Sequence, residues 1–136
     1  MQVTVHDESE WWKSLLTQPV LSLIDVHSMP DYSMISVTGI LAMICMEEKV
    51  VKSETKFLMI MKIVDRTGCI EVRSWTHTLA DFSTYRDRPI LIKRVRVTSY
   101  AGTKMLELIE DRGSPVEAEF PHAEDLAKFW KEPASL

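Results

Sequence analysis

The chain has 136 residues, 46% hydrophobic and 26% charged, which describes an ordinary globular protein of one domain with enough chain for a core. The longest uncharged apolar run, residues 34–46, is too short to cross a bilayer, and the first residues lack the basic start and apolar stretch of a signal peptide. The net charge of −4 does not exclude a nucleic-acid partner, because such binding requires a local basic face rather than a basic total.

The N-terminal part of the chain is predicted to precede the main fold. Residues 1–19 form an extension with a short helix, in which Trp11 and Trp12 are expected to pack or to dock a partner rather than to stack on bases. Residues 20–26 are apolar and fit either a strand or a docking segment. The Met-Pro-Asp sequence at residues 29–31 marks a break before the first long strand.

Five strands are predicted from the apolar runs and their alternation, at residues 34–46, 55–64, 69–75, 89–100 and 104–110. Gly39 lies in the middle of the first strand, where a glycine often marks a bend or bulge. The connections are predicted as a charged loop over residues 47–54, a short helical or turn segment over residues 77–85, a turn at residues 101–103 and a loop over residues 111–121. A terminal helix is predicted over residues 122–131.

This order of elements predicts an all-β domain with flanking helices. A long bent first strand, a small helix between the third and fourth strands and a terminal helix describe a five-stranded OB-fold barrel with a C-terminal helix. One domain would occupy residues 1–136, with the barrel over residues 20–110 and the helix over residues 121–131, and Phe82 would close one end of the barrel. Periodicity alone would also permit other small barrels, and the spacing of the elements favours the OB fold.

The segment over residues 65–75 is the most informative for function. It begins with Asp-Arg-Thr-Gly, a hairpin turn in which Gly68 is free to take a positive backbone angle. In the strand that follows, Val72 points towards the apolar face, while Arg73 and Trp75 point outward. An outward Trp beside an Arg on a sheet is suited to stack on and clamp a nucleic-acid base.

The turn also predicts the register of the second and third strands. It places Lys62 opposite Glu71 and keeps Lys56 and Lys62 on the outward face with Trp75. A slip of one residue would reverse the faces of the second strand and turn both lysines inward. We therefore expect two lysines beside the outward Trp.

The fourth strand points to the same face independently. Val95 and Val97 point inward, whereas Arg94, Arg96 and Tyr100 point outward. The ligand groove of an OB barrel runs over strands two and three, between the first–second and fourth–fifth loops. The predicted loops carry Lys49 and Lys52 on one side and Lys104 on the other. The candidate DNA-binding residues are therefore Trp75, Tyr100, Arg73, Arg94, Arg96, Lys62, Lys56, Lys52 and Lys104.

The charge distribution agrees with this groove. Residues 49–104 hold twelve Lys or Arg and five Asp or Glu, a balance of +7, whereas the rest of the chain holds four and fifteen, a balance of −11. Each candidate also has a structural alternative. Trp75 could pack against a loop, Tyr100 could be a corner residue, and the outward arginines of the fourth strand could form a solvated ladder against Glu107.

The terminal helix is predicted to contact a partner. Ala123, Leu126, Ala127 and Trp130 follow i, i+3, i+4, i+7 spacing and form one apolar stripe, with Phe129 beside it. A helix of about ten residues is marginal alone in water, so this stripe must be buried. The partner interface is expected to include Leu126, Phe129 and Trp130, together with Trp11 and Trp12.

Residues 64–75 resemble the strand-two to strand-three motif of replication protein A-type OB domains, and most of all the middle subunit and its telomere-capping relatives. Residues 37–40 resemble the entry of the first strand in that family, and residues 95–104 its fourth strand and loop. The second DNA-binding domain of the large subunit is also similar, through the spacing of Trp75 to residues 80–82 and through a terminal helix with an aromatic pair.

The resemblance implies a nuclear single-stranded DNA-binding subunit of a replication, recombination or telomere-capping complex. In the family, the aromatic residues matching Trp75 and Tyr100 stack on single-stranded DNA, and basic residues matching Arg73 and Arg96 contact its backbone. The terminal helix of the middle subunit packs on sister subunits, which implies other OB-fold subunits as partners here. One departure is Val64, where the middle subunit often has a second Asp.

The same residues fit a second kind of function. The alternative is an OB-fold adaptor that mainly mediates protein–protein assembly with little DNA binding of its own. An enzyme is not expected, and neither is a cofactor or metal, because the histidines are scattered and no nucleophile elbow or phosphate loop is present. Cys45 and Cys69 lack CxxC spacing and are expected to be small buried side chains in a reducing compartment.

Overall fold

The computed structural model describes residues 20–109 and 116–132. The strands are β1 (Val20–Leu21), β2 (Met34–Val51), β3 (Glu54–Asp65), β4 (Gly68–Ser74), β5 (Pro89–Tyr100), β6 (Thr103–Leu108) and β7 (Val116–Glu117). The helices are α1 (Leu23–Val26), α2 (Leu79–Phe82), which continues into a 3-10 turn (Ser83–Tyr85), and α3 (Ala123–Lys131). The expectations for the N-terminal extension, including Trp11 and Trp12, and for the last residue of the predicted barrel lie outside the described residues.

Five of these strands close into a ring in the order β2-β3-β4-β6-β5, with β5 pairing back onto β2. The closure depends on β2, whose first half pairs with β5 and whose second half pairs with β3, the two partners meeting at Ile40. The pairing of β4 with β6 is parallel, and the other pairings in the ring are antiparallel. The predicted five-stranded barrel with a C-terminal helix is therefore confirmed.

Gly39 allows the bend in β2. A Cβ atom at this position would lie 2.1 Å from Ile63 Cγ2 on β3, far inside van der Waals contact. Irregularities in register lie on both sides of it, between Ile35 and Val37 towards β5 and between Leu41 and Met43 towards β3. The strand can change partner here because a glycine lets the two backbones approach closely.

The barrel interior is filled by the residues that alternation predicts. Ile63 lies opposite Ile70 and Met61 opposite Val72, and all four are buried. Phe82 of α2 is buried in the same core, as expected. The predicted register of β3 and β4, with Lys62 opposite Glu71, is confirmed.

Two predicted loops are wrong. The charged segment 47–54 is not a loop, because β2 runs to Val51 and β3 begins at Glu54, with Lys52 and Ser53 as a two-residue turn at positive φ of 51° and 67°. Within the predicted loop over residues 111–121, β7 pairs with Leu91 and Ile92 of β5. In the first case the β2–β3 hairpin extends beyond the barrel, so both of its faces carry exposed, charged residues and the apolar alternation disappears.

The Asp-Arg-Thr-Gly turn is fixed by a side chain rather than by glycine geometry. Asp65 Oδ1 accepts hydrogen bonds from Thr67 N at 2.8 Å and Gly68 N at 3.0 Å, and Oδ2 accepts one from Leu23 N at the start of α1, at 2.9 Å. Among the described glycines only Gly102 has a positive φ, so the expectation for Gly68 is wrong. The turn therefore attaches α1 to the barrel. This helix lies within residues 20–26, the apolar segment for which a strand or a docking segment was expected.

Candidate nucleic-acid interface

One row of side chains crosses the outer face of the barrel. Arg73 on β4 pairs in register with Glu107 on β6, which pairs in turn with Arg96 on β5. Because register partners point to the same side of a sheet, the two arginines lie on either side of one glutamate. The prediction that Arg73 and Arg96 share the outward face is confirmed.

Both arginines are ion-paired within the protein. Arg96 bonds to Glu107, and Arg73 Nε donates to Glu71 Oε2 at 2.5 Å. The structural alternative for the arginines of the fourth strand, an ion pair with Glu107, is therefore present for Arg96. Such partly exposed ion pairs contribute at most about 1 kcal/mol each, so a phosphate could displace either carboxylate at small cost.

Tyr100 lies at the end of β5 with 67% of its surface exposed. It precedes a tight turn in which Ala101 and Gly102 have φ of 50° and 82°, and the Arg73 guanidinium lies 5.7 Å from the centre of its ring. Arg73 therefore contacts an exposed ring through a cation–π interaction and leaves the rest of that ring open.

Tyr100 lines a depression of about 510 Å³ on this face, which we call the Tyr100 depression. Its lining includes four of the predicted residues, Lys62, Arg73, Tyr100 and Lys104. Cys69 and Glu71 also line it. The structure thus brings an exposed aromatic ring and three cations together.

Trp75 lies in a different depression. The strand β4 ends at Ser74, whose Oγ accepts hydrogen bonds from the backbone N–H of Thr76 at 3.2 Å and His77 at 3.1 Å, so Trp75 leaves the strand's alternation. With 46% of its surface exposed, it lines a depression of about 610 Å³ together with Lys56, Phe57 and His77, which we call the Trp75 depression. The predicted single groove is therefore divided into two depressions.

Phe57 is a surface aromatic that the sequence analysis missed. It follows the parity of Met59 and Met61, which predicts burial, yet 57% of its surface is exposed. The reason is that the hairpin of β2 and β3 extends beyond the barrel at this point, where the described part of the chain leaves the ring of Phe57 largely exposed. The length of the two strands was the available signal.

Three predicted cations are placed differently from expectation. Lys49 lies on β2 and pairs with Glu47, and Lys52 lies in the turn at the hairpin tip rather than in a long loop. Arg94 does not alternate regularly with Arg96, because β5 is bulged between Ile92 and Val95 and Arg94 has φ of 56°. Neither depression includes Lys52, Arg94 or Arg96 in its lining.

Lys104 is held by Asp31. Its Nζ lies 2.7 Å from Asp31 Oδ1, which also accepts a hydrogen bond from Ser99 Oγ at 2.7 Å. The hydrogen bonds from Lys104 and Ser99 hold the pKa of Asp31 below its ordinary value. By contrast, Lys56 and Lys62 have no ion pair within residues 20–109 and 116–132, so they remain available to a phosphate.

The helix α3 packs on the barrel through part of its apolar stripe. Leu126 is buried within the chain itself, at 8% exposure, so it does not offer the partner surface predicted for it. Phe129 lies under the Arg66 guanidinium, 5.2 Å from its ring centre, and Arg66 donates two hydrogen bonds to Glu132 at 2.7 and 3.1 Å. Trp130, the third residue predicted for the interface, remains partly exposed.

Some chemistry is absent from the described ranges. No three His, Cys, Asp or Glu side chains lie together there in a way that could hold a metal ion. No helix among these residues is long and apolar enough to span a membrane. Cys45 is half-buried and Cys69 exposed, and both are free thiols, so the expectation of two buried cysteines is wrong. Cys69 lies directly after the turn, on the outer face.

Neither a family model nor a curated protein matches this sequence. Solved structures do match. A Replication Protein A heterotrimer bound to single-stranded DNA is 16% identical, over 83% of this chain and 28% of that chain, with a TM-score of 0.66. A replication factor A-related protein from Methanobacterium thermoautotrophicum is 23% identical, over 71% and 89% of the two chains, with a TM-score of 0.53.

An OB domain from Thermoplasma acidophilum is 24% identical, over 66% of this chain and 78% of that one, with a TM-score of 0.51. At such low identity these likenesses establish the fold and not the subunit to which the chain corresponds. Together with the ring of β2, β3, β4, β6 and β5, they show that the protein is an OB-fold domain with a C-terminal helix.

Proposed function

We propose that this OB-fold domain binds single-stranded DNA on the outer face of β3, β4 and the β5–β6 hairpin. The observation that carries the proposal is the exposed ring of Tyr100 with Arg73 against it and Lys62 beside it. A base stacks on an aromatic ring whatever its identity, with a contribution of roughly 1–3 kcal/mol. Arg73 and Lys62 then bind the adjoining phosphates, in a salt-dependent way.

The Trp75 depression is a second base-stacking position in this proposal. It offers an exposed indole ring, the ring of Phe57 and the charge of Lys56, which has no ion pair among the described residues. The Replication Protein A structure with a similar fold is one bound to single-stranded DNA, which supports a ligand of this class. The wider assignment, to a nuclear subunit of a replication, recombination or telomere-capping complex without enzymatic activity, is part of the same proposal.

Tyr100→Ala tests the proposal. Fluorescence anisotropy with a labelled thymidine oligonucleotide should show a loss of about 1–3 kcal/mol of binding free energy, with an unchanged thermal melt because the ring is exposed. Trp130→Ala is the matched control, since it removes a partly exposed aromatic ring on α3, and it should leave DNA binding unchanged. A wild-type protein that does not bind the oligonucleotide at low salt would refute the proposal.

A protein-assembly adaptor with little DNA binding is the second candidate function. It is favoured by the pairing of Arg73, Arg96 and Lys104 with acidic residues, which reduces the positive potential of the face, and by the exposed ring of Trp130 on α3. In this reading, other OB-fold subunits dock on the C-terminal helix. Trp130→Ala should then reduce co-purification of such a subunit, whereas Tyr100→Ala should not.

A further inference from the structure

Tyr32 is an exposed aromatic residue that neither the sequence analysis nor either depression includes. It lies just before β2, and 74% of its surface is exposed. Its φ is 71°, in the left-handed region that a bulky residue rarely adopts. A small or polar residue would be the ordinary choice for such a position, so the presence of a tyrosine requires a reason.

The backbone around Tyr32 is fixed by the barrel. Tyr32 N donates to Val97 O at 2.7 Å, and Val97 N donates to Ser33 O at 2.9 Å. These two bonds extend the pairing between β2 and β5 and hold the left-handed residue at the edge of the outer face. The ring is therefore presented from a rigid support rather than from a loose loop.

The ring of Tyr32 contacts Arg96. The Arg96 guanidinium lies 5.9 Å from the ring centre, which repeats the arrangement of Arg73 with Tyr100. Arg96 Nε is buried and has no hydrogen-bond partner among the described residues. A buried hydrogen-bond donor without a partner destabilises the fold. If the Arg96 guanidinium turned away from Glu107, a phosphate oxygen could accept the hydrogen bond of Nε.

The two tyrosine–arginine pairs lie on one path. Arg73 and Arg96 flank Glu107 in the same row across β4, β6 and β5, so their Cα atoms are about 10 Å apart at the usual strand spacing. Tyr100 lies four residues beyond Arg96 on β5, about 13 Å along the strand. These separations suit successive contacts with one flexible single strand.

We infer that Tyr32 is a further base-stacking position, with Arg96 as its phosphate contact, and that bound single-stranded DNA continues from Tyr100 along β5 towards it. The inference rests on the proposed function and deepens it by extending the path of the strand. It also gives Arg96 a role although it lies outside the Tyr100 depression. The ligand is a single strand rather than a duplex, because stacking on an open ring requires an unpaired base.

The test is an anisotropy titration of a twelve-nucleotide thymidine oligonucleotide with variants of the full chain. Tyr32→Asn keeps a residue that tolerates the left-handed backbone and removes the ring, and it should weaken binding roughly 5- to 150-fold. Tyr32→Phe keeps the ring and should bind like the wild type. Thermal melts of both variants show whether the fold is intact.

Two further readouts separate stacking from a charge or folding effect. The slope of affinity against salt should be unchanged in Tyr32→Asn and smaller by about one unit in Arg96→Gln. The effects of Tyr32→Asn and Tyr100→Ala should add in the double variant, because the two rings contact different arginines and not each other. If the wild type binds and Tyr100→Ala weakens binding while Tyr32→Asn does not, this inference alone is wrong. A wild type that does not bind contradicts the proposed function itself.

Discussion

Each of the two arginines on the outer face contacts both an acid and an aromatic ring. Arg73 contacts Glu71 and Tyr100, and Arg96 contacts Glu107 and Tyr32. The carboxylate holds the guanidinium beside its ring, which reduces the ordering required when a nucleotide binds. The same carboxylate competes with a phosphate for the cation. The acids should therefore lower the affinity for DNA while keeping the arginines in place.

Glu71→Gln should accordingly tighten binding of single-stranded DNA by roughly 1.4- to fivefold, since a partly exposed ion pair contributes about 0.2–1 kcal/mol. Anisotropy titrations at several salt concentrations should also give a steeper salt dependence. Glu117→Gln is the matched control, because it breaks the ion pair of Lys93 on β5 with β7 and removes the same charge. If Glu71→Gln binds DNA more weakly than this control, Glu71 does not compete with a phosphate for Arg73.

The bend of β2 depends on the absence of a side chain at Gly39. Gly39→Ala should destabilise the fold by about 1–3 kcal/mol, the usual cost of overpacking, because the new Cβ would overlap Ile63 Cγ2. Gly68→Ala is the control, as nothing lies within 4 Å of a Cβ there. Urea unfolding measures both variants, and equal stabilities would show that the close approach of β2 and β3 is not what requires glycine.

At the scale of elements, alternation predicts strands well where one face is buried and poorly where both are exposed. The register of β3 with β4 follows from regular apolar positions such as Ile63 and Val72. The bounds of β5 follow from its apolar run, although the strand is bulged within it. The end of β2 does not, because the hairpin residues beyond Met46 are mostly exposed in the described structure, so no buried face imposes a pattern on them. The position of Trp75 also escaped prediction, since a single hydroxyl, Ser74 Oγ, turns the chain away from the strand.

The attachment of α3 should depend on pH. The hydrogen bonds from Arg66 hold the pKa of Glu132 below its ordinary value of 4.5. Because the folded-state pKa is the lower one, the stabilisation is fully present above pH 4.5 and is lost as the pH falls through the folded value. The free energy of unfolding of Glu132→Gln should thus lie below that of the wild type at pH 7, and the difference should disappear in acid.

Glu119→Gln provides the comparison, because Glu119 lies exposed between β7 and α3, outside any helix, and has no ion pair among the described residues. Its unfolding free energy should follow that of the wild type across the same pH range. A pH-independent difference for Glu132→Gln would mean that the Arg66 contact does not carry the effect.

For the molecule as a whole, the barrel separates two kinds of surface. The outer face of β3, β4 and the β5–β6 hairpin carries the Tyr100 depression, while α3 anchors through Leu126 and Phe129 and leaves Trp130 partly exposed. The sequence was sufficient to place Arg73, Tyr100 and Lys62 on one face. It could not reveal Tyr32, since its exposure and its contact with Arg96 depend on how the segment before β2 pairs with β5.

The central claim is that single-stranded DNA lies on this outer face. The most direct measurement is an NMR titration of the isotope-labelled protein with a thymidine oligonucleotide, following the assigned amide signals. We expect saturable shifts at Lys62, Arg73 and Tyr100, which continue to Tyr32 and are absent from α3. Binding whose shifts map to α3, or an oligonucleotide that leaves the signals of β4 and the β5–β6 hairpin unchanged, would contradict it.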